Sequence, residues 1–189
     1  VNFISKINGV KEIAPLYTKA GQLDFREKKY YNFVMGADMD QINFVEETMS
    51  LKIENGRVLK SGETEKVVLG HNYQVANKIF AKPVKIGDSV TINSKTFTVV
   101  GFYSEVGNPQ DDGNMYMTKE GFESVFPAQK DKYGFVLIRN QPDTTPKELA
   151  DRITEKLRKH KGQDKGKEDF YVQTFEDALK TFNTIISVI

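Results

Sequence analysis

Few residues in this chain have types and neighbours suited to chemistry. His71 lies in "VVLGHNYQVANKIF", residues 67–80, where an apolar run passes through Gly70 into a helix-like pattern. A histidine at such a corner is a candidate general base. A Ser-His-Asp site, however, needs three groups within hydrogen-bond reach, and no Gly-x-Ser-x-Gly elbow is present. The only other histidine, His160, sits in a basic run. His71 therefore reads as a surface residue opening a short helix over 72–80 that buries Val75, Ala76, Ile79 and Phe80.

Asp111-Asp112-Gly113-Asn114 offers oxygens to a hard cation such as calcium, which takes six or more. Only three side chains are offered and EF-hand spacing is absent, so a turn built from Asp, Gly and Asn is the better account. The run "KLRKHKGQDKGK", 156–167, could meet an anionic headgroup or an acidic partner. Lysines also suit the negative end of a helix dipole, and a solvated helix end explains the run more simply. Tyr30, Tyr31 and Phe33 could line a groove, but aromatics at this spacing more commonly fill a sheet face. No Walker A sequence, dinucleotide fingerprint or His-Glu-x-x-His occurs. No catalytic, cofactor or metal residue is assigned.

The elements that must position these residues belong to an ordinary globular chain. Of 189 residues, 39% are apolar and 28% charged, and the formal net charge is +1. That balance argues against a nucleic-acid binder. With no cysteine, disulfides, thiolate metal sites and a cysteine nucleophile are excluded. The chain opens at Val1, which suggests a processed or excised segment.

Three stretches follow. In residues 1–50, Val1, Phe3, Ile4 and Ile7 suit a helix ended by Asn8-Gly9. "GQLDFREKKYYNFVMGAD" then alternates as a hairpin bending at Glu27-Lys28-Lys29, and "MDQINFVEE" suits a short helix or turn. In residues 51–130, Val67–Leu69 reads as a buried strand. Two further strands are joined at Asn93-Ser94-Lys95, and "NMYMTKEGFESVF" gives a strand and a short helix. In residues 131–189, "YGFVLIRN" is a strand, Thr145-Pro146 with Glu148 opens a helix that Gly162 closes, and "DFYVQT" reads as another strand. Thr174 and Asp177 then begin a terminal helix whose stripe runs through Phe175, Ala178, Leu179, Phe182, Ile185, Ile186 and Ile189. Nothing in the sequence stops that helix. The expected fold class is α+β: the two ends, 1–50 and 131–189, form one split α+β layer, and 51–130 is an inserted, mainly β subdomain.

Taken in order, Gly56-Arg57, Val67–Gly70, Ala76, Gly87-Asp88 and Thr98–Gly101 resemble the extracytoplasmic core domain of MacB-like and FtsX-type ABC transporter permeases. "INGVKEIAPLY", "VMGAD", "DDGNMYMTKEGFESVF" and "YVQTFEDALKTFNTIISVI" extend the likeness, more loosely, over nearly the whole chain. The resemblance implies a Porter-like subdomain carrying a Sabre-like insertion on the outer side of a cell membrane, periplasmic or extracellular. It implies a non-enzymatic role in export or mechanotransmission, coupled to ATP hydrolysis by a cytosolic ABC ATPase subunit. A second permease copy and an extracytoplasmic accessory protein are the further partners it implies. The alternatives are a stand-alone ligand- or peptide-binding module, which would bind without partners, and a hydrolase with a dispersed site, which would depend on His71.

Overall fold

Six strands that close into a ring set the architecture of the larger part of the chain. The computed structural model describes residues 1–178 and 180. It divides into two compact units: residues 14–137, and residues 1–13 together with 138 onward. The strands are β1 (Val10–Phe25), β2 (Lys28–Ala37), β3 (Ile53–Gly56), β4 (Lys66–Leu69), β5 (Ser89–Ile92), β6 (Lys95–Tyr103), β7 (Met115–Thr118) and β8 (Phe135–Asn140). The helices are α1 (Ile42–Thr48), α2 (Lys119–Val125) and α3 (Pro146–Lys161). The mixed helix and strand content is the α+β class expected from the sequence.

In the larger unit the pairing closes on itself. The order β1-β2-β7-β4-β6-β5 returns to β1, while β3 pairs with β6 and β8 lies beside β1. The β2–β7 and β4–β6 pairings are parallel and the other four are antiparallel. Side chains alternate sides along a strand, so every ring strand but β5 feeds two clusters, and Val90 and Ile92 of β5 feed one of them. Leu23, Val34, Leu69, Ile92, Phe97 and Met115 share the inner one. Leu16, Met35, Val68, Val100 and Tyr116 share the outer one, which Phe44 and Val45 of α1 cover. Fully burying such a side chain contributes about 1.5–3 kcal/mol, so ring closure rests on these two layers.

The turns match strand twist. Arg26-Glu27 (φ 49° and 65°) and Asn93-Ser94 (φ 44° and 69°) are two-residue bends with both central residues left-handed. This geometry suits the right-handed twist of the flanking strands. The first bend therefore falls at Arg26-Glu27, with Phe25 paired to Lys28, rather than over Glu27–Lys29. The strand entering it begins at Val10, well before the alternation around Leu23.

In the smaller unit, α3 forms as its local signals dictate. The Thr145 hydroxyl accepts from the Glu148 N–H, the Glu148 carboxylate accepts from the Thr145 N–H, and Gly162 closes the helix at φ 64°, ψ 33°. Leu149 and Ile153 are buried with Ile7, and Phe3, Ile4, Val10, Ile138 and Val172 pack around them.

Three expected elements are different in the structure. Only Ile4–Lys6 turns at the N-terminus, as a single 3₁₀ turn, before Gly9 at φ 98°. Residues 72–80 are not a helix: a 3₁₀ turn at His71–Gln74 gives way to extended Val75 and left-handed Asn77, and Ala76 is exposed. Tyr73 and Phe80 are instead buried in the inner cluster, and the Val84 N–H donates to the Tyr73 carbonyl. Residues 169–174 form no strand. Arg158 and Lys161 pair with Glu168 and Asp169, drawing the chain back along α3, and Tyr171 is 79% exposed. Thr174 and Asp177 do cap a helical turn at 175–178. The rest of the expected terminal stripe, from Leu179 to Ile189, lies outside the described residues.

The boundaries of the compact units fall at 13/14 and 137/138. The physical reason is ring closure. β1 and β2 are needed to complete the ring, so the hairpin belongs with the strands that follow it.

Candidate functional site

The side chain with most catalytic promise is held by two polar neighbours. His71 follows Gly70, and its Nδ1 lies 2.8 Å from Glu54 Oε2 on β3. Gln74 Nε2 donates to the same Glu54 oxygen, and Asn55 Nδ2 donates to Gln74 Oε1 at 2.7 Å. A carboxylate can orient an imidazole for base catalysis, but a nucleophile must lie on its other side. Among the described residues, the side-chain partners of His71 are Glu54 and Gln74. The arrangement fastens β3 to the 3₁₀ turn. Glu54 is the partner that sequence reading did not find, since it lies seventeen residues away on a strand of its own.

Asp111–Gly113 form a 3₁₀ turn whose carboxylates serve the loop before it. Asp112, 3% exposed, accepts from the N–H groups of Val106 (2.7 Å) and Gly107 (3.2 Å). Asp111 accepts from Asn108 Nδ2 at 3.0 Å and Asn114 Nδ2 at 3.3 Å. Burial, then the neighbouring Asp112 charge, raises its pKa above the ordinary value. Among the described residues, no group of three or more His, Cys, Asp or Glu side chains could hold a metal ion. The segment is a stapled turn.

A third constellation surrounds the Gly56-Arg57 pair. Gly56, at φ 81°, and Gly101 let β3 lie against β6 so closely that a Cβ on Gly56 would strike the Val100 carbonyl. This fixes Arg57, whose guanidinium grips Glu63 with two bonds of 2.8 and 2.6 Å. That grip holds the Glu63 carboxyl down to about 2. The Glu63 carbonyl accepts from the Thr118 hydroxyl at 3.1 Å, and the same hydroxyl accepts from the Gly121 N–H to cap α2. The loop between β3 and β4 is thus fastened to β7 and α2.

The remaining candidates separate clearly. In the basic run, Arg158, Lys159, Lys161 and Lys167 each pair with a carboxylate, which accounts for them as a solvated helix end. Tyr30 packs edge-on to Tyr73, with ring centroids 5.8 Å apart. Tyr31 and Phe33 alternate to the outer side and are 67% and 39% exposed. These groups brace loops and expose two aromatics, but they do not converge on a reacting atom.

The sequence model of the MacB-like periplasmic core domain matches residues 2–156. The chain belongs to that family. A MacB-like core domain of this kind is also similar, at 28% identity, to an uncharacterized ABC transporter permease of Methanocaldococcus jannaschii. The match covers all of this chain and 46% of that permease, so the domain spans about half the length of its relative. Among solved structures, the periplasmic region of MacB from Actinobacillus actinomycetemcomitans superposes with a TM-score of 0.70 at 20% identity, covering 96% of this chain and 80% of the other. The extracellular domain of the noncanonic ABC-type transporter YknZ from Gram-positive bacteria gives 0.69 at 17% identity, covering 92% and 86%. These likenesses establish a shared fold. Among the described residues, no helix is long and apolar enough to cross a membrane.

Proposed function

We propose that this MacB-like core domain is the part of an ABC permease that works outside the cytoplasm, carrying motion generated by ATP hydrolysis on a separate ATPase subunit. The observation that carries this reading is the two-unit fold within the family match. The chain passes from the smaller unit into the larger inside β1, and returns inside β8. Both crossings lie within strands and neither lies in a loop, so displacement of one unit has a regular backbone path to the other. We assign the smaller unit the Porter-like role and the larger ring the Sabre-like role. A second permease copy and an extracytoplasmic accessory protein are its expected partners, and the domain itself performs no catalysis.

The test needs no knowledge of the substrate. Spin labels at the exposed Lys82 and Lys165, one in each unit, are introduced into the intact permease with its ATPase. The separation distribution is then compared without nucleotide and with ATP trapped. A shift in that distribution is expected. Identical distributions in the two states would sink the relay.

A further inference from the structure

Strand β2 reaches beyond the partner on one of its sides. It runs from Lys28 to Ala37 and pairs with β1 throughout, but β7 pairs only with Val34–Ala37. Residues 28–33 therefore have a strand on one side and none on the other. The register shows which backbone groups are left over. Gln22 of β1 donates its N–H to Asn93 Oδ1 at 2.9 Å, and its carbonyl accepts from the Asn93 N–H, so both groups turn away from β2. Tyr31 stands opposite Gln22. Opposed residues of an antiparallel pair exchange both bonds or neither, so the Tyr31 N–H and C=O also point out of the hairpin. Lys29 and Phe33, two residues to either side, share that direction. Asn32 Oδ1 occupies the Phe33 N–H at 2.8 Å. Among the described residues, no backbone bond meets Lys29 or Tyr31 on this side.

The side chains along this edge are ordered before any contact. The Tyr31 hydroxyl donates to Gln22 Oε1, and Gln22 Nε2 donates to both Asp24 oxygens at 2.7 and 2.8 Å. The exposed Tyr31 ring is held in place by this chain of bonds, and Phe33 is exposed on the same face. An aromatic already fixed loses little freedom on binding. The same bonds engage Asp24, the residue opposite Lys29. Over residues 25–33 the hairpin carries three cations, Arg26, Lys28 and Lys29, against Glu27 alone. Among the described residues, none of the three forms an ion pair.

We propose that the free edge of β2 at residues 29–33 accepts an extended acidic peptide segment of a partner protein as an added strand. Charge decides against a second copy of this chain, which would bring the same cations to the same edge; edge lysines are a common guard against like pairing with like. An acidic strand turns those lysines into partners. It also takes up the two Tyr31 backbone bonds and lays alternate side chains against Tyr31 and Phe33.

The experiment titrates the ¹⁵N-labelled whole chain, at low ionic strength, with a blocked peptide alternating Glu and Val, and separately with its Lys–Val counterpart. The Lys29 and Tyr31 amide signals should shift saturably with the Glu–Val peptide. Hydrogen exchange at the Tyr31 N–H should slow about tenfold once free peptide reaches about ten times its Kd. The Lys–Val peptide should bind about fivefold more weakly, and Lys28→Glu with Lys29→Glu, both exposed, should reverse that preference. If the double variant fails to fold, the contrast between the two peptides on the wild type decides alone. Absent shifts, equal binding of the two peptides, shifts without slowed Tyr31 exchange, or an unreversed preference in the folded double variant would each overturn the proposal. So would shifts that follow protein concentration without peptide, which would make a second copy the occupant.

Discussion

Neutralising Glu63 should remove a defined and pH-dependent share of stability. The Arg57 guanidinium holds its carboxyl at about 2 against an ordinary 4.5. Taken at face value, that difference is worth about 3 kcal/mol, at roughly 1.4 kcal/mol per pH unit. The pair is partly in water, however, with side-chain exposures of 40% for Arg57 and 21% for Glu63. Screening reduces the expected contribution to about 1 kcal/mol. Because the folded pKa is depressed, the stabilisation is complete above about 4.5 and disappears as pH falls through 2. Urea titrations of wild type and Glu63→Gln at pH 7 and pH 2 check this directly. Tyrosine fluorescence suits the assay, since seven of the eight tyrosines lie in residues 14–137 and report on the unit that contains Glu63. Wild type should exceed the variant by about 1 kcal/mol at pH 7, and the two should converge at pH 2. An equal gap at both pH values would mean that packing, not charge, is what Glu63 supplies.

Other substitutions test other parts of the fold. Thr145→Ala removes one side of the α3 capping box and should cost about 1 kcal/mol, with faster amide exchange confined to the first turn of that helix. Gly56→Ala places a Cβ against the Val100 carbonyl at a positive φ, and should lower the melting temperature of the larger unit by the equivalent of about 2 kcal/mol or more. Asp112→Ala leaves the N–H groups of Val106 and Gly107 without their acceptor; about 1–3 kcal/mol of local stability should be lost, seen as faster proteolysis in residues 104–114.

What the sequence made legible was what neighbouring residues decide. Thr145, Pro146, Glu148 and Gly162 are a complete set of start and stop signals, and α3 obeys them. The alternation of Val90 and Ile92 against Phe97 and Val99 marked β5 and β6 for the same reason. The misread elements were decided by distant partners. Tyr73 and Phe80 lie at a spacing a helix could also use, but the inner cluster draws both into the ring and left-handed Asn77 breaks the turn between them. Residues 169–174 alternate like a strand, yet the ion pairs to α3 position that segment. Arg57 was visible in the sequence only as half of the Gly-Arg pair that carries the family resemblance. Its partner Glu63 and the Thr118 hydroxyl beyond it gave no local sign, because the loop that unites them is shaped by how closely β3 approaches β6.

Closure of the ring also dictates an order of events during synthesis. The β1–β2 hairpin can form early, but its outer edges stay open until much later residues arrive: Leu23 awaits Ile92, and Val34 awaits Met115. Such long-range pairings pay their loop entropy before they gain contacts, so they form slowly. In the interval the hairpin is a two-stranded ribbon with unpaired backbone groups on both sides, which is a poor free-standing structure and a ready template for other strands. The smaller unit waits longer still, because residues 1–13 have no partner until residue 138 and those beyond it emerge. A nascent chain of this design is therefore most vulnerable to aggregation before residues 115–118 have emerged, and that is the species a chaperone would be expected to hold.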